Sequence, residues 1–335
     1  MNELWSIYHS PMPAILSELC QTPPMERLKR VGMNCGCEYT AYPRFQRGRD
    51  YSRFDHSLGV GLIVWHFTRD PAQAAAGLLH DIATPVFAHV VDFLRGDYLT
   101  QEATEDGTPE RIAASKELQR VLSRCSLSTQ DVADYHQYPI ADNDSPRLSA
   151  DRLEYTLGNA LNYGFLSRDQ VAWLYGDLTV GVNEEGAPEL VFQSREACLC
   201  FARTALRCAE VYVSAEDRYA MQRLSELLAE GRRMGILTEE DLNRTEPEII
   251  ALLKGSSLRP AWEAFCALSR IETAPSDKGQ GCPPDGRPWR IIPAKKRRID
   301  PLLAAEGRAS ALDPSFAREL KEFLSATQTD WVLGE

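Results

Sequence analysis

Two histidines and two aspartates follow one another in this chain in the order His, His-Asp, Asp. They are His56, the adjacent pair His80 and Asp81, and Asp151. Imidazole nitrogens combined with carboxylate oxygens suit iron, manganese, cobalt, nickel or zinc, whereas magnesium and calcium favour shells made only of oxygen. Four protein ligands in an octahedral shell leave two positions for water and substrate, which is typical of a hydrolytic metal site. We therefore predict one divalent transition metal per chain, held by these four residues.

The ligand residues fall on stretches with helical patterns. Residues 55–68 read as a helix that is buried nearly all round, and Pro71 opens an Ala-rich helix that ends at His80 and Asp81. Further helices are predicted over 151–163, 194–232 and 314–325, and a turn-rich break over 181–188. A small hairpin is predicted from Trp289 and the stretch around Ile299. The fold class that follows is mainly α.

The helix that begins at Asp151 places Tyr155 and Asn159 on the same face, because residues four apart are neighbours on a helix. Arg152 lies to one side of that face. A tyrosine ring offers a stacking surface, an asparagine offers hydrogen bonds and an arginine offers a fork for phosphate. This combination suits a ligand the size of a nucleotide, although Tyr155 and Asn159 could also serve only packing and capping.

His89 and Asp92 lie three residues apart on a predicted short helix and are within mutual reach. We expect the carboxylate to raise the pKa of His89, which makes the histidine a candidate acid–base catalyst together with Asp92. The alternative is a hydrogen bond that has no part in the chemistry.

The overall charge excludes some classes of partner. A net charge of −11 and a pI near 5.2 argue against general nucleic-acid binding, which needs a basic surface. The N-terminus lacks a signal-peptide pattern, and no apolar run is long enough to span a bilayer. The nine cysteines are an odd number, so we read them as reduced thiols and expect a cytoplasmic protein.

One basic run, Lys-Lys-Arg-Arg at 295–298, stands out from this acidic background. A run of this kind is often a solvated loop or strand. It could instead contact phosphate on a neighbouring subunit or on a regulatory nucleotide.

Residues 26–160 resemble the HD-domain phosphohydrolases, and the nearest branch is the deoxynucleoside triphosphate triphosphohydrolases. The words that carry the resemblance are SRFDHSLGVG at 52–61, GLLHDI at 77–82, PVFAHVVD at 85–92 and DRLEY at 151–155. A weaker likeness continues around Arg203 and Tyr212. The resemblance implies an HD-domain helical core with a further C-terminal helical region and a small β-hairpin.

Carried over by position, the resemblance assigns a role to each candidate residue. The metal ligands would be His56, His80, Asp81 and Asp151. Phosphate would be contacted by Arg53 and Arg152, the sugar by Tyr155 and Asn159, and a distal phosphate by Arg203. His89 and Asp92 match a histidine and an acidic residue that recur together in the family's motif.

The chain departs from the family at two positions. Thr84 stands where the family has a histidine three residues after the HD aspartate, and Gln101 stands where a histidine precedes the glutamate, here Glu102. In the family those histidines serve the triphosphate or the leaving group.

The function expected from these observations is metal-dependent hydrolysis of a nucleotide, with a deoxynucleoside triphosphate as one candidate. The alternatives are a phosphomonoesterase or phosphodiesterase for another small phosphorylated metabolite, and a metal-containing nucleotide sensor without turnover. We expect a homo-oligomer with no membrane partner. The predicted domains are a phosphohydrolase domain over 1–185, a helical extension over 186–272, and a loop, hairpin and helix over 273–335.

Overall fold

The computed structural model describes residues 2–46, 51–97, 99, 107–276, 283 and 285–335, so Gln101 and Glu102 lie outside it. The fold is mainly helical, which confirms the predicted class. Within the described residues the α-helices are α1 (Asn2–Tyr8), α2 (Ala14–Cys20), α3 (Pro23–Leu28), α4 (Arg53–Thr68), α5 (Pro71–Leu79), α6 (Val90–Leu94), α7 (Thr108–Ala114), α8 (Lys116–Arg124), α9 (Thr129–Val132), α10 (Ala150–Asn162), α11 (Arg168–Gly176), α12 (Arg195–Tyr212), α13 (Ala215–Arg233), α14 (Glu246–Lys254), α15 (Arg259–Cys266), α16 (Ala309–Leu312) and α17 (Pro314–Ser325).

Short strands form two small sheets beside the helices. They are β1 (Leu178–Val182), β2 (Pro188–Phe192), β3 (Ile271–Ala274), β4 (Leu302–Leu303), β5 (Gly307–Arg308) and β6 (Trp331–Gly334). The first sheet has the order β1-β2-β4-β5, with β2 and β4 parallel and the other neighbours antiparallel. In the second sheet β3 pairs antiparallel with β6 and ties the C-terminus to the chain near residue 271.

Side-chain caps fix where the three ligand-bearing helices begin. The first backbone N–H groups of a helix lack partners within it, and Ser, Asp and Asn side chains accept from them. Ser52 and Asp55 form a reciprocal capping box on α4. Asp70 caps α5 just before its proline, and Ser149 caps α10. His56, His80 and Asp151 therefore stand at defined distances from capped helix starts.

Helix α4 is the central element of the ligand-bearing half. Its residues from Arg53 to Val64 are all buried, as its continuous apolar pattern predicts. It packs against α1, α3, α5 and α10. This burial positions His56 inside the protein and brings α5 and α10, which lead to the other ligands, against the same helix.

Two hydrophobic cores flank the candidate site. The first is built around α4, α5, α10 and α12, and the second around α6, α13, α14 and α15. A cavity is lined by residues from elements of both. The domain boundaries near 185 and 272 stay a prediction.

Some local predictions differ from the structure. The predicted break at 181–188 is the turn of the β1–β2 hairpin, whose strands pair from Leu178 with Phe192 to Val182 with Pro188. The hairpin predicted from Trp289 does not form there, because Arg290 bridges to Val332 instead. The antiparallel pair β4–β5 lies a few residues later. No helix in the described parts of the chain is long and apolar enough to cross a membrane.

Candidate metal centre

The two histidines are held by hydrogen bonds on the far side of each ring. His56 Nδ1 donates to Glu154 Oε2 at 2.6 Å, and His80 Nδ1 donates to the carbonyl oxygen of Gly77 at 2.7 Å. Carboxylate and carbonyl oxygens accept, so each ring uses its Nδ1 hydrogen on this partner and presents Nε2 on its other side. A partner of this kind is the usual support of a metal-binding histidine.

Both Nε2 atoms face the carboxylate of Asp151. Its Oδ1 lies 3.0 Å from His56 Nε2 and 3.7 Å from His80 Nε2. One ligand atom from each of these three residues lies within 4.8 Å of the others. Ligands bound about 2.1 Å from one ion lie about 3 to 4 Å from one another, so the spacing fits a single metal.

Asp81 approaches the same point on the other side. Its Oδ2 lies 3.9 Å from His56 Nε2 and 3.6 Å from His80 Nε2. That oxygen also accepts from Arg53 at 3.0 Å, and the other oxygen accepts from the Thr84 hydroxyl at 2.7 Å. Thr84 thus orients a predicted ligand from the position where the family has a histidine. The structure groups His56, His80 and Asp151, and it places Asp81 beside the two imidazoles.

The charges around this point favour a cation. Burial by itself lowers the pKa of His56, but hydrogen bonds to Asp151 and Glu154 raise it to about 10. Burial raises the pKa of Asp81, but Arg53 and the two histidines outweigh it and hold that pKa well below its usual range. Two imidazoles and two carboxylates suit a divalent transition metal. The residues present therefore fit such an ion.

Glu154 is a residue that the sequence reasoning missed. It is fully buried, and besides His56 it accepts from the hydroxyl of Tyr51 at 2.5 Å and from that of Tyr8 at 3.4 Å. A Cβ at Gly59 would lie 2.5 Å from the Glu154 side chain, so a larger residue there would displace Glu154. The sequence places Glu154 three residues after Asp151 on the same helix, but this spacing does not identify His56 as its partner.

A cavity of about 690 Å³ opens from the metal ligands. Asp151, Tyr155 and Asn159 line it together, as predicted from their spacing on α10. Asn159 Nδ2 donates to the hydroxyl of Tyr212 at 2.8 Å, and the Tyr155 and Tyr212 rings meet edge to face. The cavity is in the size range of small-molecule sites.

Of the three arginines that were predicted to bind phosphate, two line the cavity and one does not. Arg53 and Arg152 line the cavity, and Arg152 donates to Asp142 at 3.0 Å. Arg203 does not line this cavity and instead pairs with Asp313 at 3.0 Å. It lies on α12, whose apolar residues pack in the first core, and this packing turns Arg203 toward α17.

His89 and Asp92 pair as their spacing predicts, with Nδ1 donating to Oδ2 at 2.9 Å. The expectation of a raised pKa was wrong. Burial lowers the pKa of His89 to about 4, since the bond to Asp92 is outweighed by burial together with the charges of Arg297 and Arg53. His89 is therefore neutral at neutral pH, and Nε2 accepts from Arg297 at 3.2 Å.

This lowered pKa gives a stability prediction. The unfolded chain binds a proton at His89 below about pH 6.5, whereas the folded chain does so only near pH 4. The neutral, buried His89 therefore stabilises the folded chain above pH 6.5, and this stabilisation is lost as the pH falls toward 4. The largest loss of unfolding free energy is on the order of 3 kcal/mol. Urea unfolding of wild type and His89→Gln from pH 7 to pH 4 should show a difference that shrinks with falling pH. A difference that is independent of pH would contradict this prediction.

The first three residues of the basic run at 295–298 are half-buried and not solvated, whereas a contact of the run with phosphate stays a prediction. Lys295 and Arg297 line the cavity of their own chain. Lys296 points away from it and donates to carbonyl oxygens at the end of α17. The sequence offered no signal for this, because the run is remote from the motif residues along the chain.

Comparison with known proteins gives relatives of low identity, and no family model matches the chain. The metal-dependent phosphohydrolase cns2 of Cordyceps militaris is 23% identical over 335 residues, covering 94% of this chain and 89% of the relative. The uncharacterized protein YdhJ of Bacillus subtilis is 24% identical over 244 residues, covering 72% of this chain and 71% of the relative.

Solved structures share the fold over nearly the whole length. A phosphohydrolase from Bacteroides thetaiotaomicron superposes with a TM-score of 0.66 at 17% identity, covering 98% of this chain and 96% of that one. A hypothetical protein from Aquifex aeolicus has a TM-score of 0.58 at 18% identity, covering 96% and 92%. This chain is thus similar in sequence to a metal-dependent phosphohydrolase and in fold to a solved phosphohydrolase.

Proposed function

We propose that this chain is a metal-dependent phosphohydrolase that acts on a nucleotide. The relative named as a metal-dependent phosphohydrolase and the solved phosphohydrolase of the same fold support hydrolase activity. The observation that carries the proposal is the convergence of His56, His80 and Asp151 in the cavity that Tyr155 and Asn159 also line.

The metal would be held by His56, His80, Asp81 and Asp151. A bound divalent metal polarises a phosphoryl oxygen and lowers the pKa of a coordinated water to near neutrality. The protein's own contribution is to fix the ligands. Glu154 and Gly77 orient the imidazoles, and Arg53 keeps Asp81 ionised beside them.

The nucleotide part of the proposal rests on the face of α10. At 1.5 Å per residue, Tyr155 lies about 6 Å and Asn159 about 12 Å along the axis from Asp151. These separations fit a phosphate at the metal with a sugar and a planar ring beyond it. A simple alkyl phosphate would leave Tyr155 and Asn159 without a contact.

Two buried amide atoms in the cavity wall are consistent with a substrate that carries polar groups. Asn159 Oδ1 and Asn34 Nδ2 have no hydrogen-bond partner among the described residues, and both side chains line the cavity. The other amide atom of Asn159 donates to the Tyr212 hydroxyl, and that of Asn34 accepts from the Tyr163 hydroxyl. A buried polar atom without a partner costs about 1–3 kcal/mol, and a substrate hydroxyl or ring nitrogen would remove that cost.

The test of the nucleotide proposal is Tyr155→Ala. Loss of a stacking contact should weaken nucleotide binding by about 1–3 kcal/mol, or roughly five- to two-hundred-fold, while binding of inorganic phosphate changes little. Calorimetric titration with nucleoside mono- and triphosphates and with phosphate measures both. Tyr155→Phe keeps the ring and is the matched control. If no nucleotide binds, or if Tyr155→Ala weakens phosphate and nucleotide alike, the nucleotide proposal fails.

A measurement of turnover distinguishes an enzyme from a metal-containing nucleotide sensor, which the sequence analysis left as an alternative. The metal-loaded protein should release phosphate or a phosphorylated product from at least one member of a panel of nucleoside mono-, di- and triphosphates, with deoxynucleotides included. Release from non-nucleotide esters alone would favour the phosphoesterase alternative. Binding without release from any substrate in the panel would favour the sensor.

A further inference from the structure

The basic run belongs to an extended segment that crosses the mouth of the cavity. We call residues 290–300 the basic strap. It begins where Arg290 pairs with the backbone of Val332, and it ends where the Asp300 N–H donates to the Pro146 carbonyl at 2.9 Å. Between these points the Ser145 hydroxyl donates to the carbonyl of Arg298 at 3.0 Å. The strap is therefore anchored at both of its ends.

Neighbouring side chains of the strap point in opposite directions, as in any extended chain. Lys296 Nζ donates to the carbonyl oxygens of Phe323 and Leu324 at 2.6 and 2.8 Å, which satisfies the end of α17. Lys295 and Arg297, on either side of it, line the cavity. One lysine thus caps a helix, while the flanking lysine and arginine face the candidate substrate site.

A chain of hydrogen bonds fixes the Arg297 guanidinium. Its NH2 donates to His89 Nε2 at 3.2 Å, and His89 Nδ1 donates to Asp92 Oδ2 at 2.9 Å. Asp92 is fully buried on α6, so the far end of this chain is rigidly held. Because His89 is neutral, it orients the guanidinium without adding a negative charge beside it.

The other arginines near the metal ligands are engaged in structural contacts. Arg53 is bound to Asp81, and Arg152 to Asp142. Arg218, which also lines the cavity, donates to backbone carbonyls of Val213 and Ile292. Arg203, which the resemblance assigned to a distal phosphate, is outside the cavity. The strap adds two further cationic side chains, Lys295 and Arg297, to the cavity wall, and these two have contacts of their own as well.

We propose that Lys295 and Arg297 form an anion subsite for a second phosphate group of the substrate, apart from the phosphate at the metal ligands. This inference rests on the proposed function and narrows its substrate class to nucleotides that carry two or more phosphate groups. A guanidinium and an ammonium give a bidentate fork and a point charge, which together suit a terminal phosphate. The cavity of about 690 Å³ has room for a group of this size beyond the metal ligands.

The test compares substrates that differ only in the second phosphate. The 5′-monophosphate, 5′-diphosphate and 3′,5′-bisphosphate of each common nucleoside are titrated against wild type, Arg297→Gln and Lys295→Gln. The ratio of KM for the two-phosphate substrate to KM for the monophosphate should rise roughly 10- to 100-fold, the usual worth of a charge-assisted hydrogen bond. Arg297→Lys should recover part of the loss. Whether the diphosphate or the bisphosphate responds shows which arrangement of phosphates the subsite takes.

Arg298→Gln is the matched control, because it removes the same charge from the neighbouring residue of the strap, which does not line the cavity. It should leave the KM ratio as in wild type. An unchanged ratio in both Arg297→Gln and Lys295→Gln would overturn the proposal. So would an equal rise in KM for mono- and diphosphate, because these residues would then serve the phosphate at the metal. The same ratio measured as Kd by calorimetry tests the subsite even if turnover fails, so the two proposals can fail separately.

The role of His89 in this subsite is to position Arg297. This role is tested by measuring the KM ratio of a His89 variant and of a double variant. His89→Ala should raise the KM ratio in the same direction as Arg297→Gln, and the double variant should show no further rise, since both changes remove one interaction. Independent, multiplying effects would show that His89 does not act through Arg297. The acid–base role predicted from the sequence would instead lower kcat by roughly 10²–10⁴-fold for every substrate.

Discussion

Asp151→Ala should lose both the metal and the hydrolytic activity. Asp151 Oδ1 lies 3.0 Å and 3.7 Å from the two imidazole nitrogens, so its removal opens the ligand group on the side that faces the cavity. Losing a hydrogen-bonded partner of a ligand already costs roughly 10–100-fold in metal affinity, and losing a ligand should cost more. Elemental analysis after dialysis and phosphate release from the best substrate measure the two effects.

Asp144→Ala is the matched control for this variant. Asp144 also lines the cavity, but its side chain is 94% exposed and is not part of the ligand group. The control should keep its metal and its thermal midpoint. Full metal occupancy in a folded Asp151→Ala protein would show that Asp151 is not a ligand.

Glu154→Ala should destabilise the protein and weaken the metal site together. The variant removes the partner of His56 and leaves the buried hydroxyl of Tyr51 without its acceptor. Breaking a buried charged network typically costs about 3–5 kcal/mol of unfolding free energy. Metal affinity should fall by roughly 10–100-fold, because the His56 ring loses the bond that orients it. Urea unfolding and competition with a metal chelator measure these two quantities.

Two further variants keep this prediction testable if Glu154→Ala does not fold. Glu154→Gln retains the shape and one oxygen acceptor, so it should lose less stability than the alanine variant. Gly59→Ala places a methyl group where the Glu154 side chain lies, so it should weaken the metal site without changing the carboxylate itself. A folded Glu154→Ala protein with metal affinity within twofold of wild type would refute the role of Glu154.

Much of the candidate site could be predicted because its residues lie on regular helices. The four-residue period of α10 was enough to place Asp151, Tyr155 and Asn159 on one face, and all three line the cavity. The apolar pattern over 55–68 and the position of Pro71 predicted where α4 and α5 begin to within a few residues. Local spacing is informative here because the geometry of a helix is independent of its surroundings.

The resemblance to the HD family assigned roles to individual residues. The structure places some of these residues at the candidate site and others away from it. It named four candidate ligands, of which His56, His80 and Asp151 form one group with Asp81 beside them, but it also placed Arg203 at a distal phosphate. The packing of α12 turns that residue toward Asp313. A motif transfers well where the residues are ligands of one ion, since their distances are then constrained. A single arginine outside the motif carries no such constraint.

Residue spacing alone therefore predicts the helical class, the order of the metal ligands and the face of α10 that follows them. The pKa of His89, the partnership of Glu154 with His56 and the course of the basic strap depend on contacts between residues far apart in the chain. His89 meets Arg297 across 208 residues, and His56 meets Glu154 across 98. Burial and charge at such contacts are set by how the elements pack, and no local pattern in the sequence encodes them.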